Sequence, residues 1–246
     1  MGALNESATL PKLLTEIERI FGHDVEVIVV DDGSTDGTRD RISEIIGTGF
    51  PLRPIYNGSP QTLARALSQG LAASRTEYVI FMDADLQHPP EMLPSILARL
   101  REGNDLVIAS RYVQGGTAGE RTPIRGLISR VACGITQISL ASARSIRDPI
   151  SGFFGVRVGS LIDIPQAPKG FEFLLPVLVS VNSLEPKVVE VPYHFMPRVE
   201  GESKIVTGVS FIARFLSQLI FVKRLEREQR RRVRANVSLV NSNSTV

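Results

Sequence analysis

The feature that most constrains this chain is a pair of apolar runs that each end abruptly in acidic residues. VIVV is followed by Asp31 and Asp32, and YVIFM is followed by Asp83 and Asp85. An apolar run without polar alternation is typical of a strand covered on both faces, as in the parallel sheets of α/β proteins. Parallel strands bring their carboxyl ends to one rim of the sheet, where ligands bind. We therefore expect the two acidic tips to lie close together.

Short apolar runs alternate with amphipathic stretches along the first 110 residues. This alternation predicts βα units and an α/β fold with a mainly parallel sheet flanked by helices. The predicted strands are 25–30, 52–56, 78–82 and 105–110, and the predicted helices are 10–21, 35–46, 62–74 and 91–101.

The pattern changes after residue 110. A Gly-rich loop is predicted at 112–123, then a helix to about 141, a strand at 152–156, a helix around 171–182 and a strand at 187–195. Pro192 lies inside the last strand and lacks a backbone N–H, which predicts a place at a sheet edge. No linker divides the chain into two folding domains.

Composition excludes several classes of protein. Lys and Arg number 28 against 26 Asp and Glu, a net charge of +2 that favours neither a nucleic-acid nor an acidic partner, and no nucleic-acid partner is expected. The single cysteine, Cys133, rules out an intramolecular disulfide or a Cys-rich metal cage and suits a reducing compartment. No signal peptide and no apolar run of transmembrane length are found. Neither GxxxxGK[ST] nor GxGxxG occurs, which disfavours P-loop and dinucleotide enzymes.

Asp83, Asp85 and Gln87 place two carboxylates and an amide oxygen at the end of one predicted strand. Hard oxygen donors suit Mg²⁺ or Mn²⁺ carried by a substrate phosphate, because such ions keep few protein ligands. An isolated Asp-X-Asp is also common in surface turns. The residues alone therefore leave a metal site and a solvated turn as alternatives.

Five motifs, taken together, resemble the family 2 glycosyltransferases of the GT-A fold, and among them most closely the polyprenol (dolichol) phosphate mannose synthases. The resemblance runs from about residue 3 to residue 222 in one order and spacing, and implies a glycosyltransferase domain over 1–222. The motifs are DDGSTDGT (31–38), MDADLQHPPE (82–91), SRYVQGG (110–116), DPISGFFGVR (148–157) and RVEGESK (198–204).

The resemblance implies a nucleotide-sugar site between the two acidic tips. Asp32, with Val30 beside it, would hold the base and ribose, and Leu4 and Glu6 of ALNE would line the other side. This gives the opening motif a role beyond a turn and a helix cap.

By the same resemblance, Asp83 and Asp85 would bind Mg²⁺ or Mn²⁺ bridging the donor diphosphate, with the Ala84 backbone and Gln87 nearby. A divalent ion stabilises the charge left on the departing group without needing a proton. Asp85 is therefore counted among the catalytic residues.

The same resemblance assigns residues to the acceptor side of the site. Arg111 and Arg125 match positions that grip the acceptor phosphate, and Ser129 lies one helical turn beyond Arg125. Arg198 and Lys204 match positions that neutralise the donor and acceptor phosphates. For Arg111 and Arg125 the alternative is an ordinary solvated helix face.

Two further residues are assigned more loosely. Asp148 is expected to orient the acceptor loop, with capping of SGFF as the alternative. His88 is expected in the turn after the metal site, and none of the three histidines is given a role in the chemistry.

The implied activity is a metal-dependent inverting transfer of a hexose to the phosphate of a polyprenyl or dolichyl phosphate. The first candidate for the transferred hexose is mannose, with GDP-mannose as the donor. A phosphate monoester is already ionised near neutral pH, with a second pKa of about 6, so no strong general base is required. Arg111 and Arg125 would position the two anions. The alternatives are another donor, such as UDP-glucose, another acceptor, or a non-catalytic nucleotide-sugar-binding subunit.

Residues 205–222 carry a helical apolar stripe, and residues 223–234 hold seven basic and two acidic side chains. An interfacial helix with a basic tail would lie on anionic lipid, which predicts a cytoplasmic protein, peripheral at the cytoplasmic face of a membrane. A membrane-protein partner is left open. The alternative is a core helix with a solvated end. Residues 223–246 are expected to be a disordered tail.

Three features depart from the family pattern. We expect the first strand to be missing, because Met1 falls almost on the nucleotide loop, and this puts nucleotide binding in question. Pro176 lies in a predicted helix, where an interior proline costs about 3 kcal/mol unless a kink accommodates it. The segment at 58–66 lacks the expected Gly-Leu-Gly.

Overall fold

The computed structural model describes residues 1–119, 123–163, 172–181, 185–197 and 209–243. Strands and helices alternate as the sequence predicts. The strands are β1 (Gly2–Ala3), β2 (Val27–Asp31), β3 (Leu52–Tyr56), β4 (Tyr78–Phe81), β5 (Leu106–Ser110), β6 (Phe154–Arg157) and β7 (Val188–Pro192). The helices are α1 (Leu10–Phe21), α2 (Thr38–Gly47), α3 (Leu63–Ala73), α4 (Leu93–Arg101), α5 (Pro123–Ser139), α6 (Leu174–Ser180) and α7 (Val209–Asn243).

The strands form two hydrogen-bonded groups, in the orders β1-β2-β3 and β4-β6-β5-β7. Pairings β1-β2, β2-β3 and β5-β7 are parallel, while β6 is antiparallel to both β4 and β5. The prediction of a mainly parallel sheet is confirmed, with β6 as the exception. Strand β7 pairs only with β5 in the described part of the chain, so Pro192 lies at an edge as predicted.

Helices cover both faces of the sheet. Leu106 and Ile108 belong to one hydrophobic cluster, which includes side chains of α3, α6 and α7. Val107 and Ala109 belong to a second cluster, with side chains of α1, α2 and α4. Successive strand residues point to opposite faces, so the clusters lie on the two sides of β5. Val29 of β2 is in the second cluster, which therefore extends across both strand groups.

The expectation that the first strand is missing is wrong. Strand β1 is short but pairs in parallel with β2, with Gly2 opposite Val30 and Ala3 opposite Asp31. The Asp32 N–H also donates to the Ala3 carbonyl at 2.8 Å. The loop that begins at Leu4 is therefore anchored beside the end of β2.

Pro176 does not interrupt a helix. It is the third residue of α6, which runs from Leu174 to Ser180. The first four N–H groups of a helix have no partner within the helix, so a proline there removes no helical hydrogen bond. The expected penalty does not arise at this position.

The expectation of a disordered tail from residue 223 is also wrong, because α7 continues to Asn243 across the expected domain boundary at 222. Glu226 is buried and accepts the backbone N–H groups of Ala141 at 3.2 Å and Ser142 at 2.7 Å. These contacts stabilise the helix beyond residue 222. No helix among the described residues combines the length and hydropathy needed to cross a membrane.

Candidate active site

The first acidic pair ends β2, and its two members differ in role. Asp31 is fully buried; its Oδ2 accepts Nε of Arg39 at 2.6 Å and its Oδ1 accepts the Ser34 N–H at 3.2 Å. Both carboxylate oxygens of Asp31 are therefore used to shape the turn that follows the strand.

Asp32 is bonded to the segment that follows β3. Its Oδ1 accepts Nδ2 of Asn57 at 2.9 Å, and its Oδ2 accepts the Gln61 N–H at 2.8 Å. Gln69 Oε1 accepts from the same Asn57 amide at 3.1 Å. A carboxylate has about four acceptor positions, so two hydrogen bonds leave capacity for a ligand.

Asn57 and Gln61 were not among the residues predicted from the sequence. A signal existed for Asn57, since it directly follows a predicted strand whose carboxyl end lies beside that of β2. For Gln61 the bonded group is the backbone N–H, which no side-chain pattern reveals.

The loop at 4–9 lies against the loop at 32–38, as the resemblance implies. Asn5 donates its N–H to Ser34 Oγ at 2.8 Å and accepts the Thr35 N–H at 2.8 Å. The Glu6 N–H donates to Thr38 Oγ1 at 2.9 Å. Leu4 is half-buried in this loop. Leu4 and Glu6 therefore line the same corner as Asp32.

Val30 lies beneath α3. Its side chain is fully buried, and a Cβ added at Gly70 in α3 would lie 3.5 Å from its Cγ2. The expected place of Val30 beside the nucleotide stays a prediction.

The second acidic pair lies in a tight turn after β4. Asp85 is buried and its Oδ1 accepts the Gln87 N–H at 3.1 Å, while Leu86 between them has φ 63°. The Gln87 carbonyl accepts the Met196 N–H at 3.0 Å, and Gln87 Nε2 donates to the Met196 carbonyl at 3.3 Å. Ala84 is buried at 3% exposure, and the expected contact through its backbone stays a prediction.

Met1 is bonded to β2 just before the first acidic tip. Its ammonium donates to the Ile28 carbonyl at 2.8 Å, and its carbonyl accepts the Val30 N–H at 2.9 Å. Burial lowers the pKa of the ammonium to about 6, and the negative charge of Asp83 acts in the opposite direction.

The donor set of the second turn fits a phosphate-borne cation. Within the ranges that the structure describes, no group of three His, Cys, Asp or Glu side chains could hold a metal by itself. Asp83 and Asp85 supply two carboxylates and Gln87 an amide oxygen, an all-oxygen set that suits Mg²⁺ or Mn²⁺ rather than zinc. Such ions keep positions open for substrate oxygens, so a small protein donor set is expected.

Arg111 follows β5 and is held by a buried ion pair. Its Nε and Nη2 donate to the two carboxylate oxygens of Asp148 at 2.8 Å and 2.7 Å, and its N–H donates to Asp148 Oδ2 at 2.9 Å. Burial alone would lower the pKa of Arg111, but the hydrogen bond and charge of Asp148 raise it above its ordinary value. The alternative of a solvated helix face is therefore excluded for Arg111.

Asp148 lies in the loop before β6, and this loop is bonded to β7. Its N–H donates to Glu190 Oε1 at 2.9 Å, and the Arg147 N–H donates to Glu190 Oε2 at 2.8 Å. Glu190 belongs to β7. The Arg111 guanidinium is therefore fixed by the loop that carries Asp148, and that loop is in turn fixed by β7. Glu190 was missed, because nothing in the sequence pairs it with a loop 42 residues away.

Helix α5 carries the second expected cation. Arg125 is exposed, and Ser129 one turn later is buried and accepts the hydroxyl of Tyr112 at 2.9 Å. The Arg111 guanidinium lies 5.3 Å from the centroid of the Tyr112 ring. The structure therefore brings Ser129 close to the Arg111 segment. Arg198 and Lys204 lie outside the described residues.

Phe195 lies between His88, which follows the turn after β4, and Arg111. Its ring centroid is 5.9 Å from that of His88 and 5.8 Å from Cζ of Arg111. Phe195 also donates its N–H to the Thr117 carbonyl in the Gly-rich loop at 2.9 Å. An acidic turn and a charged guanidinium thus flank one aromatic residue, an arrangement that can hold a cation-bound diphosphate and a second anion side by side.

Comparisons with known proteins agree with this geometry. Residues 1–164 match the family described as "Glycosyl transferase family 2". The dolichol-phosphate mannosyltransferase of Pyrococcus furiosus is 36% identical over 82% of this chain and 56% of its own length, so the chain spans little more than half of that relative.

Other relatives are matched over more of their length. The dolichol-phosphate mannosyltransferase of Mycosarcoma maydis is 34% identical over 89% of this chain and 76% of its own length. The dolichol-phosphate mannosyltransferase of Saccharomyces cerevisiae is 31% identical over 88% of this chain and 81% of its own length.

Solved structures support the fold. Glucosyl-3-phosphoglycerate synthase from Mycobacterium tuberculosis, in complex with Mn²⁺, UDP-glucose and phosphoglyceric acid, superposes with a TM-score of 0.66 at 22% identity, covering 90% of this chain and 76% of that one. The sequence family, the relatives and the fold are in agreement. The chain is therefore a member of glycosyl transferase family 2 with the GT-A type of α/β fold.

Proposed function

We propose that this protein is a metal-dependent inverting glycosyltransferase that moves a hexose, mannose from GDP-mannose as first candidate, to the phosphate of a polyprenyl or dolichyl phosphate. The observation that carries the proposal is the position of Phe195, which contacts both His88 of the metal turn and the buried Arg111. The relatives named dolichol-phosphate mannosyltransferases support this choice of donor and acceptor.

On the donor side, Asp32 binds the base and ribose together with Leu4 and Glu6. Asp83 and Asp85, with Gln87, hold Mg²⁺ or Mn²⁺. When bound, the divalent ion neutralises charge on the departing nucleotide diphosphate. The solved relative that contains Mn²⁺ and UDP-glucose supports a divalent ion at such a site.

On the acceptor side, Arg111 and Arg125 position the lipid phosphate, assisted by Ser129. The Asp148 pair fixes the Arg111 guanidinium before any ligand arrives, which lowers the entropic cost of aligning two anions. Arg198 and Lys204 neutralise the donor and acceptor phosphates. Because the acceptor is already ionised, it attacks the far face of the sugar directly and inverts the anomeric centre.

The outer face of α5 supports a place at a membrane surface. Helix α7 was the expected membrane contact, but Phe215 and Leu219 of its stripe are buried in the core, as is Val222. Helix α5 instead exposes six apolar side chains and α7 exposes four, although soluble proteins rarely expose large contiguous apolar patches. These residues are Ile124, Leu127, Ile128, Val131, Ile135 and Ile138 on α5, and Ile212, Leu216, Ile220 and Phe221 on α7.

Arg125 and Ser129 lie on the same helix as this apolar face, so a lipid in the bilayer would present its phosphate where they can reach it. Basic side chains of α7 would add attraction to anionic lipid of about 1 kcal/mol each. We place the protein peripherally at the cytoplasmic face of a membrane. A membrane-protein partner would be a second occupant of the same face.

The test uses vesicles containing polyprenyl phosphate, Mg²⁺ or Mn²⁺, and a panel of labelled nucleotide sugars including GDP-mannose and UDP-glucose. Label is expected in the lipid phase with GDP-mannose, and Asp85→Ala should abolish it. Lipid label from UDP-glucose alone would replace the proposed donor. Nucleotide-sugar binding without transfer would indicate the alternative, a non-catalytic binding subunit.

A further inference from the structure

We propose that His88 is a positioning residue that sets the backbone of the Asp83–Gln87 turn and couples it to the segment after β7. The inference rests on the proposed function in one respect, the assignment of Asp83 and Asp85 as metal ligands. In this role His88 acts through the Asp83 peptide.

The first observation is a hydrogen bond beneath the turn. His88 Nδ1 accepts the Asp83 N–H at 2.9 Å, and the side chain is only 2% exposed. Because Nδ1 accepts, the neutral ring carries its proton on Nε2. A buried backbone N–H without a partner is costly, so this bond fixes where the Asp83 peptide lies. The direction of the Asp83 carboxylate follows from the position of that peptide.

The second observation is the packing of the imidazole ring. It stacks on Phe153 with centroids 5.0 Å apart, and the rings of Tyr193 and Phe195 meet it edge-on, each at 5.9 Å. Phe153 precedes β6, while Tyr193 and Phe195 follow β7. The ring is therefore held by two parts of the chain far from the turn that it supports.

The third observation is the close approach of Gly152. A Cβ added there would lie 3.2 Å from His88 Cε1 and 3.5 Å from Asp83 Oδ2. The first distance is tight enough that the imidazole would have to move. The space around the ring is thus filled on the side of Gly152 as well.

The other end of the turn is held by the same distant segment. Gln87 and Met196 exchange two hydrogen bonds, 109 residues apart in sequence. The turn is thus supported at both His88 and Gln87 by residues 193–196, immediately before the motif at 198–204. Changes in this support should reach the metal ligands without altering any ligand side chain.

The experiment compares His88→Phe with His88→Asn. Phenylalanine keeps an aromatic ring and removes the acceptor, whereas asparagine keeps an acceptor near the Nδ1 position and removes the ring. Mn²⁺ binding in the presence of GDP is measured by electron paramagnetic resonance, and folding by circular dichroism and thermal melting. The exposed His23 provides a matched control, His23→Phe.

Loss of a residue that orients metal ligands typically weakens metal binding by about 10–100-fold. We expect His88→Phe to raise the Mn²⁺ Kd at least about tenfold, while His88→Asn changes it less and lowers the melting temperature more. His23→Phe should change neither. Equal Mn²⁺ affinity of His88→Phe and the unchanged protein would overturn the inference.

A second variant covers the case in which His88→Phe does not fold. Gly152→Ala displaces the ring without replacing it, and it should weaken Mn²⁺ binding while leaving GDP binding without metal unchanged. Unchanged Mn²⁺ affinity in a folded Gly152→Ala would count against the proposal. If the unchanged protein binds no Mn²⁺ with any nucleotide, the metal assignment in the proposed function fails instead, so the two failures are separable.

Discussion

Replacing Asp148 with asparagine removes the negative charge beside the Arg111 guanidinium. Among the described hydrogen bonds, those to Asp148 are the only ones that join this guanidinium to a carboxylate. Asp148 accepts three hydrogen bonds from Arg111, and both side chains are at least 90% buried. An asparagine amide has one acceptor oxygen, so at least one Arg111 N–H then faces an NH₂ group. Breaking a buried ion pair from one side costs about 3–5 kcal/mol, because the remaining charge is left uncompensated.

A loss of that size is a large part of the total stability of a domain, which is about 5–15 kcal/mol. Urea unfolding followed by circular dichroism measures it directly as a fall in the free energy of unfolding. The matched control is Glu77→Gln, which breaks the exposed pair between Glu77 and Arg157. Exposed pairs contribute about 0–1 kcal/mol.

The two outcomes separate clearly. If Asp148→Asn costs no more than Glu77→Gln, the reasoning that burial makes this pair structurally essential is refuted. Arg111→Lys adds a second check, since a lysine keeps the charge but cannot reproduce the two-pronged contact with the carboxylate. Arg111→Lys should also lower the free energy of unfolding. In transfer assays it should raise the KM for the acceptor more than the KM for the donor.

Three further predictions concern other parts of the molecule. Asn57→Ala removes a hydrogen bond to Asp32 and should weaken nucleotide binding by about 1 kcal/mol, or roughly fivefold, in calorimetric titration; equal affinity would contradict a role for the Asn57 contact. Burial raises the pKa of Cys133 to about 12, so at pH 8 its thiol should react slowly with a chromogenic disulfide in the folded protein and rapidly in denaturant, and fast reaction of the native protein would show that the site is open. Ile138→Asp, at a position 85% exposed on α5, should weaken binding to anionic vesicles by about tenfold without lowering the melting temperature, whereas Ile46→Asp on α2 should not; equal effects would exclude α5 as the lipid contact.

The sequence alone determined the elements whose signals are local. The predicted helix 10–21 and strand 52–56 match α1 and β3 residue for residue, because hydrophobic periodicity and turn residues act over a few positions. The five motifs identified the family, and the two acid-tipped strands predicted a candidate site at the sheet rim. The shortened β1 was misjudged, since two residues are too few to carry a periodic signal.

Tertiary structure decided the contacts between distant parts of the chain. Arg111 meets Asp148 across 37 residues, and Glu226 meets Ser142 across 84. Residue type made His88 look dispensable, although folding places it beneath Asp83. The apolar stripe of 205–222 was visible in the sequence, but only packing determined that its Phe215 and Leu219 face the core while Ile212, Leu216 and Ile220 stay exposed, and that α5 also presents an exposed apolar face. Periodicity reports that a face is apolar, whereas the partner that covers it depends on the arrangement of all the other elements.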